Sequence, residues 1–168
     1  MEYWDVYDAA RRPLGRKHLR GRPLRPGEYH LIAFVWVVNT AGQLLLTKRS
    51  PEKETYPNLW ENTGGSAVAG ETSRQAIRRE LFEETGIAAR EEEFEFLATT
   101  VRRTWIADTY LLRRDVALEN IRFQPGETCD ARWVTRKEFD GMIARGIVAQ
   151  PDVERFAVVE PMLRDILK

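Results

Sequence analysis

Three glutamates, Glu80, Glu83 and Glu84, stand at i, i+3 and i+4 in a stretch without glycine or proline. On a helix that spacing puts all three carboxylates on one face within a turn. Like charges so close weaken an isolated helix by a few tenths of a kcal/mol per pair, so the cluster asks for a counter-charge. Arg79 can supply part of it through Glu83 at i+4, yet the face stays acidic. Oxygen-only ligands suit a hard divalent cation, Mg²⁺ or Mn²⁺, and offer nothing to zinc. Upstream lie Glu71 and the Gly64-Gly65 pair. From Gly65 onward the chain reads Gly-x5-Glu-x7-Arg-Glu-Leu-x-Glu-Glu-x-Gly-Ile.

The elements that must hold these residues follow from the pattern around them. Thr72 to Thr85 is rich in Arg, Glu, Ala and Leu and predicts a helix, with Gly86 in the position of its C-terminal cap. Gly64-Gly65 cannot sit inside a helix without cost. Tyr29–Asn39 is β-branched and aromatic, and the Thr40-Ala41-Gly42 turn after it leads into Gln43–Lys48, which predicts a hairpin whose first strand is buried on both faces. Phe94–Arg102, Trp105–Arg113 and Ala131–Val134 read as further strands, and Tyr3–Asp8 as a short one. Arg11–Gly27, with its Arg, Pro and Gly, reads as turn and loop. Thr135-Arg136-Lys137-Glu138 has the capping-box order for a helix to about Ala144. Asp152 is expected to cap a terminal helix, with a kink or break at Pro161. The alternation predicts an α/β fold with a mixed sheet between helices.

Composition narrows the function classes. The 168 residues suffice for a single domain, with residues 1–28 as an N-terminal hairpin and loop extension. Lys+Arg and Asp+Glu are 26 each, a net charge of +0, so no global field points to a nucleic-acid polymer or an anionic membrane. The longest apolar run, Leu31–Val38, is too short to span a bilayer. Met1-Glu2-Tyr3-Trp4-Asp5 has no export-signal character, and Cys129 is a lone cysteine, expected as a small buried or half-buried thiol. The expected location is the cytoplasm. Residues 1–27 carry seven bases against three acids, a net of +4, and this basic stretch is expected to be solvated.

The Gly65–Ile87 segment resembles the Nudix box, the signature of hydrolases that cleave a nucleoside diphosphate linked to another group. Gly65, Glu71, Arg79, Glu80, Glu83, Glu84 and Gly86 agree with its fixed positions, and Leu81 and Ile87 with its apolar ones. The resemblance implies a Nudix-type α/β/α sandwich and a Mg²⁺-dependent hydrolase of phosphoanhydride bonds, with Mn²⁺ as an alternative cation. It implies Glu80, Glu83 and Glu84 as metal ligands, the Gly65 carbonyl as a further one, and Arg79 orienting the acids through Glu71. Glu127, six residues before Trp133, stands where some relatives carry another metal-binding acid. Glu84, Glu80 and Glu127 are joint candidates for the proton acceptor. The implied partner is a small phosphorylated substrate, and dimers are common on this fold.

A second resemblance covers His30 to Pro57. The chain reads His-Leu-Ile-Ala-Phe-Val-Trp, then Gly42-Gln43-Leu44-Leu45, Thr47-Lys48-Arg49 and Lys53, which is similar to isopentenyl-diphosphate isomerase. That likeness implies Arg49 and Lys53 as ligands of the substrate's diphosphate, and a metal-binding role for His30. The bare residue reading of His30 is a hydrogen-bonded core histidine. The isomerase needs a cysteine in the loop after Trp60 and a Glu-x-Glu pair on a later strand. This chain has Gly64-Gly65 and Ile106 with Asp108 there. An inert binding module is a third class; such modules lose box glutamates, and this chain has lost none. Trp36 is expected in the core, and Trp4, Trp105 and Tyr110 are candidates to stack on a substrate ring.

Overall fold

A computed structural model describes residues 1–168. The strands are β1 (Tyr3–Tyr7), β2 (Pro13–Leu19), β3 (His30–Val38), β4 (Leu44–Arg49), β5 (Trp60–Glu61), β6 (Thr63–Ser66), β7 (Glu95–Arg102), β8 (Trp105–Arg113) and β9 (Thr128–Val134). The helices are α1 (Ser73–Thr85), α2 (Arg136–Ala144) and α3 (Gln150–Leu163). Strands β5-β4-β3-β8-β7 form the main path of a mixed sheet, with β6 added to β3 and β9 to β4. β3 runs parallel to β8 from His30↔Trp105 to Val38↔Arg113 and antiparallel to β6.

The central strand β3 explains the layers. Leu31, Ala33, Val35 and Val37 face one way and pack with Ala76, Ile77 and Leu81 of α1. Trp36 and Val38 face the other way and pack with Phe139 and Met142 of α2 and Phe156, Val159 and Leu163 of α3. Period-two alternation on a strand covered on both sides therefore gives an α/β/α sandwich. Ile32 and Phe34 share the second face but line a cavity there instead of the core.

α1 begins at Thr72, whose hydroxyl accepts from the Gln75 N–H at 3.2 Å while the Gln75 side chain accepts from the Thr72 N–H at 2.9 Å. It ends at Gly86, left-handed at φ +74°, whose N–H reaches the Phe82 carbonyl.

Several expectations need correction. Arg11–Gly27 contains a strand, β2, paired with β1 from Tyr3↔Leu19 to Tyr7↔Pro13. Its residues are largely exposed, so backbone pairing rather than an apolar stripe holds it and no periodicity betrays it. The β3–β4 hairpin is joined at one register pair, Val38↔Leu44; β4 spends its length on β9, which starts earlier than expected. Asp152 is not a cap. It lies inside α3, buried, where its carboxylate accepts from the Asn62 N–H at 3.0 Å. Pro161 falls in the last turn of α3, which ends at Leu163. His30 is buried with no hydrogen-bond partner at Nδ1 and stacks on Trp4, ring centroids 3.8 Å apart and 7° from parallel. Cys129 is exposed, and Tyr110 is buried.

Candidate active site

α1 and the turn before it build the acidic wall of a cavity of about 810 Å³. Arg79 is the hub of that wall. Its Nε and Nη2 donate to the two Glu71 oxygens at 2.8 and 2.9 Å, a two-pronged pair that a lysine could not make. Its Nη1 donates to Glu80 at 2.8 Å and Glu83 at 3.2 Å, and Nη2 also reaches the Ser66 carbonyl at 3.1 Å. Glu71 further accepts from the Val68 N–H at 3.0 Å. Burial alone would raise the Glu71 carboxyl, but Arg79 and that N–H outweigh it and hold the group below the ordinary range. Glu71 therefore stays charged and locks Arg79 in place.

Gly65 admits Glu80. A Cβ there would land on the Glu80 carboxyl, so the bare glycine lets the acid lie against the backbone of β6. Burial pushes the Glu80 carboxyl up, against the pull of Arg79.

Glu84 is the uncompensated group. It is 8% exposed, and its Oε2 is buried with no hydrogen-bond partner. Burial raises its carboxyl well above the ordinary value, and the neighbouring Glu61, Glu80 and Glu127 charges push it the same way. Glu127 borders the cavity and is ion-paired with Lys53. Arg49 also borders it and is bonded through three of its donors: Nη1 to Glu61 at 2.7 Å, Nε to the Thr55 carbonyl at 2.9 Å and Nη2 to the Thr55 hydroxyl at 3.3 Å. Glu61 is pushed up to about 7 by burial and by Asp152, with Arg49 opposing.

All the expected residues, Gly65, Arg79, Glu80, Glu83, Glu84, Glu127, Arg49 and Lys53, border this one cavity, and Glu71 stands behind it on Arg79. No three acidic, histidine or cysteine side chains are gathered into a ready metal-ligand set; Arg79 pairs with Glu80 and Glu83, Lys53 pairs with Glu127, and Glu84 stands unpaired. The donor chemistry nonetheless fits a hard cation: an orphaned buried carboxylate oxygen among three other acids is a group short of positive charge.

His30 lies under Trp4 and is not among the residues bordering the cavity. Asp108 is committed elsewhere, accepting from Arg11 at 2.7 Å, Thr99 at 2.6 Å and Ser73 at 2.5 Å. Arg11 is thus not simply solvated, and Arg20, paired with Glu2 on the N-terminal hairpin, borders the cavity. Sequence reasoning also passed over Glu61, Asp152, Arg155 and Phe34. Each looks like an ordinary strand or helix residue, and only the meeting of β3, β5 and α3 makes them neighbours of the box.

Comparison with known proteins agrees with this architecture. A family model described as the NUDIX domain matches residues 28–153. The chain belongs to the Nudix family and is a Nudix hydrolase. It is 38% identical to an uncharacterized Nudix hydrolase of Listeria monocytogenes, with 87% of each chain covered. It is also 29% identical to an isopentenyl-diphosphate Delta-isomerase of Nocardia farcinica, over 98% of this chain and 91% of that one. Among solved structures, a Deinococcus radiodurans protein superposes with a TM-score of 0.75 at 24% identity, covering 99% of this chain and 100% of that one. A bifunctional NMN adenylyltransferase/ADP ribose pyrophosphatase of Francisella tularensis, complexed with AMP and a manganese ion, superposes at 0.64 and 20% identity, over 84% of this chain and 43% of that longer one.

Proposed function

We propose that the chain is a Mg²⁺- or Mn²⁺-dependent pyrophosphohydrolase that cleaves the phosphoanhydride bond of a nucleoside diphosphate or a nucleoside diphosphate-linked small molecule. The observation that carries this reading is Glu84: a buried carboxylate without a partner, crowded by Glu61, Glu80 and Glu127, at the wall of a cavity large enough for a nucleotide. Glu80, Glu83, Glu84, Glu127 and the Gly65 carbonyl would hold the cation, with Lys53 released from Glu127 toward phosphate. A bound divalent cation supplies charge neutralisation on the phosphate oxygens and lowers the pKa of an attacking water.

The chain's own residues do the rest. Arg79, locked by Glu71, keeps Glu80 and Glu83 turned toward the cavity. One of Glu84, Glu80 and Glu127 takes the proton of the attacking water. The water oxygen bonds to phosphorus, the bridging P–O bond breaks, and the leaving phosphate carries off the electron pair. Complexation of the Francisella relative with AMP and manganese is in keeping with this ligand class.

A panel of nucleoside diphosphates, with Mg²⁺ and Mn²⁺, tests the proposal. Metal-dependent release of phosphate or a monophosphate is expected, and no turnover across this panel extended to nucleoside diphosphate-linked and other phosphorylated compounds overturns it. Glu83 is 42% exposed at its side chain, so Glu83→Gln should cut turnover by orders of magnitude while barely moving the thermal midpoint. A Glu83→Gln enzyme with the parental rate removes Glu83 from the site.

A further inference from the structure

The cavity is also lined by a cation that the proposed chemistry leaves unused, Arg155 of α3. The register of β3 on β6 sets Ala33 beside Gly65 and Phe34 beside Gly64. A Cβ at Gly64 would strike the Phe34 ring, as one at Gly65 would strike the Glu80 carboxyl. Glu80 and Phe34 therefore lie against consecutive residues of one strand. Arg155 continues the row, its guanidinium carbon 3.7 Å from the Phe34 ring centroid. Its Nη2 donates to Asp152 at 2.8 Å, its side chain is 10% exposed, and its buried Nε has no partner. Asp152 is itself anchored by the Asn62 N–H.

A guanidinium laid on an aromatic face and tied at one edge has given up its rotamer freedom before a ligand arrives. Its open donors favour oxygen acceptors and would be left unpaired against hydrocarbon. Arg155 also borders a smaller side cavity with Thr100 and Trp105, so it stands between the two.

We propose that Arg155 is a specificity-determining residue. It binds the part of the substrate beyond the diphosphate, and the group it selects is a hydroxyl- and carbonyl-bearing nucleoside or sugar rather than a hydrocarbon tail. This rests on the pyrophosphohydrolase reading and assigns its selectivity to a residue of α3.

Arg155→Gln alone would leave Asp152 buried and unpaired, so the informative variant is Arg155→Gln with Asp152→Asn, its folding checked by thermal midpoint. Hydrolysis of a nucleoside diphosphate and of methyl diphosphate is measured with Mg²⁺ in both proteins. The ratio of kcat/KM for the nucleoside diphosphate over methyl diphosphate should fall at least about tenfold, mainly through KM. Arg155→Lys, which keeps the charge but loses the fork, should fall between. An unchanged ratio, whether both rates drop equally or neither moves, overturns the proposal. If the parent hydrolyses no diphosphate, the pyrophosphohydrolase reading fails by itself. Calorimetry with methylene analogues of nucleoside diphosphates then decides Arg155: weaker binding by the double variant supports the role, and equal or absent binding overturns it.

Discussion

His30 is held by shape. Its ring stacks on Trp4, and Nδ1 is buried without a hydrogen-bond partner. Burial, the largest influence, lowers it to about 4 from 6.5; an interaction with the Leu31 backbone opposes, and the Arg20 and His18 charges assist. A histidine depressed in the fold contributes stability that is complete above the unfolded value and lost as pH falls from about 6.5 toward 4. His30→Phe keeps a stacking ring without the titration. Its unfolding free energy should therefore gain on the parent's as pH drops from neutral to 5, by at most about 2 kcal/mol. A gap that stays constant with pH contradicts this. The spacing of Glu80, Glu83 and Glu84 was legible in the chain. Their unequal burial was not, because it depends on which side of α1 meets β6 and β9.

At the scale of elements, β6 is a short strand whose two glycines serve different neighbours. Gly65 faces the terminal carboxyl of Glu80, the far end of a long side chain, whereas Gly64 faces the Phe34 ring and the Ala33 carbonyl, which have less room to move aside. Gly65→Ala should therefore displace the Glu80 carboxyl and cut turnover with a small change in thermal midpoint. Gly64→Ala should destabilise by about 1–3 kcal/mol, the usual range for overpacking. Denaturant titration beside rate measurement separates the two, and equal stability losses would sink the distinction. α1 could be read from the chain because its helical run and closing Gly86 are local signals. β2 could not, since an exposed strand shows no alternation and its pairing with β1 is a relation between segments.

Across the whole molecule, the sheet separates two cores, and the box helix packs on only one of them. On the opposite side Phe139 is fully buried and meets Trp36 edge-on at 5.8 Å and Phe156 at 4.9 Å. Phe139→Ala should cost about 3–5 kcal/mol of unfolding free energy, with catalytic constants at 25 °C close to the parent's while the protein remains folded. A loss under about 1 kcal/mol would mean that this core collapses around the gap. No helix is long and apolar enough to cross a membrane. The N-terminal hairpin, outside the span of the family match, is pinned to the body by Arg11 on Asp108 and by paired backbone hydrogen bonds between Tyr7 and Tyr29. It thereby brings Glu2 and Arg20 to the rim of the cavity.

The amino-acid order alone determined the acidic helix face, the glycine that closes its helix and the alternating β/α plan, because helical spacing, capping and strand periodicity are short-range physics. That Gly64 and Gly65 form a strand instead of a turn came only with the pairing of β6 on β3. The rest of the cavity lining was settled only in three dimensions. Phe34, Glu61, Asp152 and Arg155 come from three separate elements, and their charges and ring acquire meaning when burial strips them of water beside one another. Arg49 shows the same limit from the other direction. A cation at a strand end reads as a phosphate ligand, and the folded chain adds bonds to Glu61 and Thr55, partners that no spacing rule connects to it.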